Sequence, residues 1–218
     1  MNFTELARKR HTTKVYKNTQ EMPQDILDQL LEATSLAPTA LGAEQARVIV
    51  ARTKEAKEIV APGFMGFNAT KVLTSNATFI FVGQTKKYLI DDEAKHLKEN
   101  ISFFDLNSEM GKNTLSGTVG WYNNDASRSE FLDIIAAGNK SSYLTLKATE
   151  LNLASTIMTG LNYDTMENIL RDHNLLAEGE RAILGVTVGT EDETNEINQN
   201  IKNHKLRKPA DQFAAEIK

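Results

Sequence analysis

The 218-residue sequence contains no cysteine, which removes thiolate nucleophiles, iron–sulfur clusters and cysteine-ligated zinc together. Proline is scarce, at four, and glycine unremarkable, at 12; neither a collagen-like repeat nor a Pro/Gly-rich disordered chain fits that composition. No uninterrupted apolar run approaches the roughly 20 residues that a membrane-spanning helix needs. The basic start MNFTELARKRH is followed by no apolar core or small-residue cleavage site, so it does not read as a secretory signal. The expectation is a cytoplasmic protein with no membrane partner. Acidic residues outnumber basic ones, 29 to 25, for a net charge of −4, which argues against a general affinity for nucleic acid. Signatures of self-sufficient chemistry are also missing. There is no G-x-G-x-x-G, P-loop, G-x-S-x-G or H-E-x-x-H, and His11, His96, His173 and His204 form no pair at metal-ligand spacing. If the protein is an enzyme, a cofactor carries the reaction.

What is present is an ordinary globular composition, 40% hydrophobic and 25% charged, in a chain long enough to bury about 70% of its unfolded surface without a staple. No repeat or linker divides it, so one domain over 1–218 is expected, ending in an extended tail over 190–218. A first helix is predicted from Phe3 to Arg10, with Asn2 as N-cap and Glu5 three residues on. A second starts with Pro23 as its first helical residue and runs through Ile26, Leu27, Leu30, Leu31 and Thr34 up to Pro38, with Met22 placed to staple against Ile26 or Leu27. Arg47–Ala51, Thr78–Val82, Ser155–Met158 and Ala182–Val188 read as buried strands. Thr53–Val60 reads as a helix, Asp164 with Glu167 opens another, and the stretch from Asp91 to Gly120 is only partly helical. Phe131–Leu151 is the longest helical segment. Its slim middle (Ala136, Ala137, Gly138, Ser141, Ser142) suits close packing on several sides. Helices and strands do not alternate strictly, so the expected class is α+β, a mixed sheet flanked by helices.

Most charge runs, Asp91-Asp92-Glu93 and Glu191-Asp192-Glu193 among them, read as solvated faces. Two basic clusters, at Arg8–Lys14 and Lys202–Lys208, stand out against the acidic background. Guanidinium forks and a threonine hydroxyl are the groups that grip phosphate, and clusters at opposite ends of the chain serve one phosphate only if the ends meet. Asn68 and Lys71, three residues apart, share a face if that segment is helical, offering an amide to a heterocycle's edge and an ammonium to charge on a ring. Trp121, the single tryptophan, admits a lid role or a packing role.

Taken in order, Arg10-His11-Thr12-x-Lys14, Pro38-Thr39-Ala40, Phe67-Asn68-x-x-Lys71, Thr159-Gly160 and Lys205-x-Arg207 resemble the FMN-dependent nitroreductase family, over residue 3 to about 209. The resemblance implies an α+β homodimer with two FMN sites at the subunit interface, its C-terminal tail extending onto the partner. It implies that Arg10, Thr12, Lys205 and Arg207 hold the FMN phosphate, with His11 in the same loop. Lys14 and Lys71 would approach the N1–O2 side of the isoalloxazine, and Asn68 its pyrimidine edge. Backbone groups at Thr159 and Gly160 would donate to N5 or O4, while Pro38, Thr39 and Ala40 would come from the other subunit. The activity implied is hydride transfer from NADH or NADPH, through FMN, to a small electron-poor acceptor such as a nitroaromatic or quinone, in a ping-pong cycle. The stretch Gly42-Ala-Glu44-Gln45-Ala46 lacks the Pro-Trp element of many family members. That leaves open an enone or pterin acceptor, a non-catalytic flavin-binding protein, or a binding module without flavin.

Overall fold

The computed structural model describes residues 2–17, 20–101, 105–124 and 131–217. Four strands, β1 (Ala46–Ala51), β2 (Ala77–Gln84), β3 (Ala154–Met158) and β4 (Glu180–Gly189), form one sheet in the order β1-β2-β4-β3. Every ladder is antiparallel. The mixed sheet expected from sequence is therefore corrected in one detail: among the described residues, parallel pairing is confined to an isolated bridge between Thr12 and Ser155. β2 is buried along its whole length because both faces are covered. Its side chains alternate between the two layers, as the two-residue period of a strand requires. Phe79 and Phe81 pack with helices α2 (Gln24–Ser35) and α7 (Leu132–Glu150) on one face. Ile80 and Val82 pack with α3 (Lys54–Val60), α4 (Phe67–Thr74) and α8 (Tyr163–Asp172) on the other.

Local signals act as the sequence suggests in most of these elements. In α1 (Phe3–Lys9) the Asn2 side chain accepts from the Glu5 N–H and the Glu5 carboxylate accepts from the Asn2 N–H, a complete capping box. Pro23 is the N-cap of α2 rather than its first helical residue, and Met22, 2% exposed, packs in the cluster that contains Leu27. Asn162, not Asp164, caps α8, accepting from Thr165 N–H at 3.2 Å. Ala136 and Ala137 in the slim part of α7 are buried in the core, whereas Gly138 and Ser142 face open space or a groove.

The stretch from Asp91 to Gly120, less residues 102–104, which lie outside the described residues, is more helical than expected. It belongs to α5 (Lys86–Asn100) and α6 (Glu109–Asn124), which share a small core of Leu89, Ala94, Leu97 and Tyr122. α5 is interrupted inside: Asp92, Glu93 and Ala94 have φ of 49°, 56° and 59°. The tail departs from free-arm behaviour in its first half. Residues 190–192 pair with 15–17, through a Tyr16–Glu191 bridge and the bonds Lys17 N–H to Thr190 O and Asp192 N–H to Val15 O. α9 (Glu196–Asn203) then leads past Lys205 to α10 (Ala210–Phe213). Leu206, Phe213 and Ile217 stand exposed.

Candidate functional site

α1 ends at Arg10 and the chain turns into an extended segment whose Thr12 bridges Ser155 of β3. The tail arrives at the same place from the far end of the sequence. Lys205 Nζ donates to the carbonyls of Ala7 (2.6 Å), Arg8 (3.1 Å) and Arg10 (2.5 Å). An ammonium has three protons, so Lys205 is fully committed to the carbonyls at the end of α1, where a cation also opposes the helix dipole. Arg207 is thereby brought near Arg10. Burial first, and then the Arg207 charge, push Arg10 below its ordinary value; burial, Arg10 and Arg207 do the same to Lys205. Among the described residues no carboxylate pairs with any of the three. They line a groove of about 890 Å³ whose other walls include Thr12, Ser142, Thr145 and the exposed Ile157. Mutually repelling, unneutralised cations around an open groove are a site for an anion.

β3 leads from this groove to a second cluster. Gly160 lies five residues beyond Ser155, roughly 16 Å at most at a strand's rise of about 3.3 Å per residue. Gly66, at φ 54° and ψ −128°, takes a conformation that side chains disfavour and starts α4. There Asn68 and Lys71 share a face as their spacing predicts, Lys71 Nζ donating to Asn68 Oδ1 at 2.7 Å. Asn68 Nδ2 donates to Gly160 O at 3.2 Å, and Met65 N–H to the same carbonyl at 3.0 Å. A Cβ at Gly160 would stand 2.8 Å from Asn68 Nδ2, so a larger residue there must push the Asn68 amide aside. The Gly160 N–H donates to no acceptor among the described residues. Lys71 is 4% exposed, lies 5.3 Å from the centre of the Phe67 ring, and has its pKa lowered by burial and then by Lys14.

The structure thus brings together Arg10, Thr12, Lys205 and Arg207 at one place, and Lys14, Asn68, Lys71, Thr159 and Gly160 at another. Among the described residues, Pro38, Thr39 and Ala40 hydrogen-bond to neither cluster. Their bonds run to Asn139 of α7, Glu44 and Gln45. His11 stays in the loop, but its Nε2 is 2.8 Å from Glu191 Oε1, which also accepts from the Thr13 hydroxyl at 3.3 Å. Glu191 is therefore not part of a solvated acidic face; its side chain is 10% exposed and fastens the loop that carries Arg10 and Thr12. Its neighbours gave no hint of this, since its partners lie about 180 residues away. Trp121 meets Tyr122 edge-on at 5.1 Å, a packing contact. The group of His, Asp and Glu side chains needed to hold a metal does not occur among the described residues, nor does a helix long and apolar enough to cross a membrane.

Antiparallel strands between helical layers, with an anion-seeking groove at one end of β3 and the Asn68–Lys71–Gly160 cluster beyond the other, define an α+β protein with a site for a charged ligand. The chain belongs to the nitroreductase family of oxidoreductases, whose profile matches residues 7–190. It is 24% identical over 177 residues, 77% of this chain and 78% of the other, to a Staphylococcus haemolyticus protein provisionally named NAD(P)H nitroreductase SH0546. A structure from Exiguobacterium sibiricum, provisionally assigned as a nitroreductase and solved in complex with FMN, aligns with a TM-score of 0.76 at 20% identity, covering 100% of this chain and 98% of that one. CLA-ER, an enone reductase of gut-bacterial fatty acid saturation, aligns with a TM-score of 0.79 at 18% identity, covering 100% and 98%. At such identities the two structures share the fold.

Proposed function

We propose that the protein is an FMN-dependent oxidoreductase that takes reducing equivalents from NADH or NADPH and passes them to a small electron-poor acceptor, a nitroaromatic or quinone. It works as a homodimer in the cytoplasm. The observation that carries this reading is the meeting of Arg10 with Lys205 and Arg207, from opposite ends of the sequence, with no carboxylate to neutralise them. The residues present fit the group: a cation cluster suits a phosphate, and a Gly160 N–H without an acceptor among the described residues, beside the Asn68 amide, suits the edge of a planar ring. Arg10 and Arg207 would grip the phosphate with forked, charge-assisted bonds, with the Thr12 hydroxyl beside them. Lys205 adds charge and holds the end of α1 in place. Lys71 and Lys14 would stabilise negative charge on the reduced ring more than on the oxidised one. Asn68, fixed by Gly160 O and Lys71, would present its amide to the ring's polar edge.

When bound, FMN supplies two-electron transfer, from nicotinamide to acceptor in a ping-pong cycle, so the protein needs no nucleophile of its own. Pro38, Thr39 and Ala40 would complete the site from the partner subunit, and the exposed Leu206, Phe213 and Ile217 would lie over it. Purified protein should be yellow or turn yellow with FMN, and should bleach when mixed anaerobically with NADH or NADPH. A colourless protein that takes up no FMN would remove the reading, and a yellow one that neither nucleotide bleaches would make it a flavin-binding protein. Structural relatives include both an FMN-bound nitroreductase assignment and an enone reductase, so the acceptor is to be decided by rates with nitroaromatics, quinones and enones side by side.

A further inference from the structure

Asn198, on α9, is 1% exposed and lies outside the groove. Its Oδ1 accepts from the Lys14 N–H at 2.8 Å and the Val15 N–H at 3.2 Å. Its Nδ2 donates to Val15 O at 2.7 Å and Asp192 O at 2.9 Å. These four bonds saturate the amide's two protons and its oxygen, and every partner is a main-chain atom. Three belong to residues 14–15, which continue directly from Arg10 and Thr12; the fourth is at the head of the tail. α9 then carries the chain to Lys205 and Arg207. One uncharged side chain therefore fastens the segment bearing one set of cations to the element delivering the other.

We infer that Asn198 is a positioning residue for the phosphate end of the site. It sets the distance of Arg207 from Arg10, and it does so without contributing charge or touching the ligand. The inference rests on the FMN reading. It differs from a general role in stability in what it predicts. A side chain that merely holds the fold affects every ligand of the site alike, whereas one that places the phosphate cations affects discrimination between ligands with and without a phosphate.

FMN and riboflavin share ring and ribityl chain and differ by that phosphate. Titration of apo-protein by flavin fluorescence should show wild type preferring FMN. Asn198→Ala should lose about 10-fold of that preference, the lower end of what one charge-assisted hydrogen bond provides, while riboflavin binding falls less. Asn198→Asp keeps both accepting bonds but sets a carboxylate against the Val15 and Asp192 carbonyls; it should behave like the alanine variant. Combining Asn198→Ala with Arg207→Ala should cost little preference beyond Arg207→Ala alone, since coupled residues are non-additive. An unchanged FMN-to-riboflavin ratio in a folded variant, or full additivity with Arg207→Ala, would overturn the inference. Should neither variant fold, hydrogen exchange of the wild type decides: the Lys14 and Val15 amides should exchange in the same opening as α9, and independent exchange refutes the coupling. Wild type that binds neither flavin would instead overturn the FMN reading, and this inference with it.

Discussion

The ring end and the phosphate end of the site are assembled by different means. At the ring end Asn68 and Lys71 sit one helical turn apart and are bonded to each other, Asn68 also bonds Gly160, and Lys14 adds its charge from the extended segment. At the phosphate end Arg10 and Lys205 are separated by 195 residues in sequence and meet through main-chain carbonyls. Local geometry builds the first; the second exists only while the tail is docked. The ring end should therefore survive disturbances of the tail that abolish the preference for a phosphorylated ligand.

Changes that strike one end and not the other break or sharpen this contrast. The largest effect is expected for Arg10→Ala, which should weaken FMN binding by about 10–100-fold, the value of a charge-assisted hydrogen bond, and leave riboflavin binding close to wild type by isothermal titration. Unchanged FMN affinity would remove Arg10 from the phosphate site. Gly160→Ala, whose Cβ must displace Asn68, should weaken FMN and riboflavin together by about 10-fold; a loss confined to FMN would contradict the placement of the ring. Lys71→Met should lower the flavin potential by about 30 mV for each ~1.4 kcal/mol of lost stabilisation of the reduced ring, seen by redox titration. An unaltered potential counts against its role.

The smallest effect is a pH linkage. Burial and Lys14 hold Lys71 below the ordinary lysine value, and burial, Arg10 and Arg207 hold Lys205 below it too. Between those lowered values and about 10.4 these two lysines hold fewer protons in the folded apo-protein than in the unfolded chain, so their contribution to stability rises with pH across that window. A bound phosphate pulls the Lys205 value back up. FMN binding just below the ordinary lysine value should therefore take up protons, measured by calorimetry in buffers of different ionisation heat, with little uptake at pH 7. Proton release on binding would contradict the sign.

Much of the fold was legible because its signals are local. The Asn2–Glu5 capping box, the Met22 staple and the Asn68–Lys71 pair each need only three to five residues of context. The interruption of α5 was not, because Asp92, Glu93 and Ala94 adopt positive φ with no glycine to mark it. In the site, residue types named the cations, but not their division of labour: Lys205 turns its ammonium to carbonyls, Glu191 leaves its acidic run for His11 and Thr13, and Asn198 sits unannounced in a polar helix. Each of these depends on partners about 180 residues or more away, which composition and spacing cannot pair.

The most direct measurement is the ratio of the wild-type dissociation constants for FMN and riboflavin. Convergence of Arg10 and Arg207 on one phosphate, two charge-assisted grips, predicts FMN binding roughly 100-fold tighter or more. Equal affinities would mean that the cations gathered from the two chain ends serve something other than a flavin phosphate.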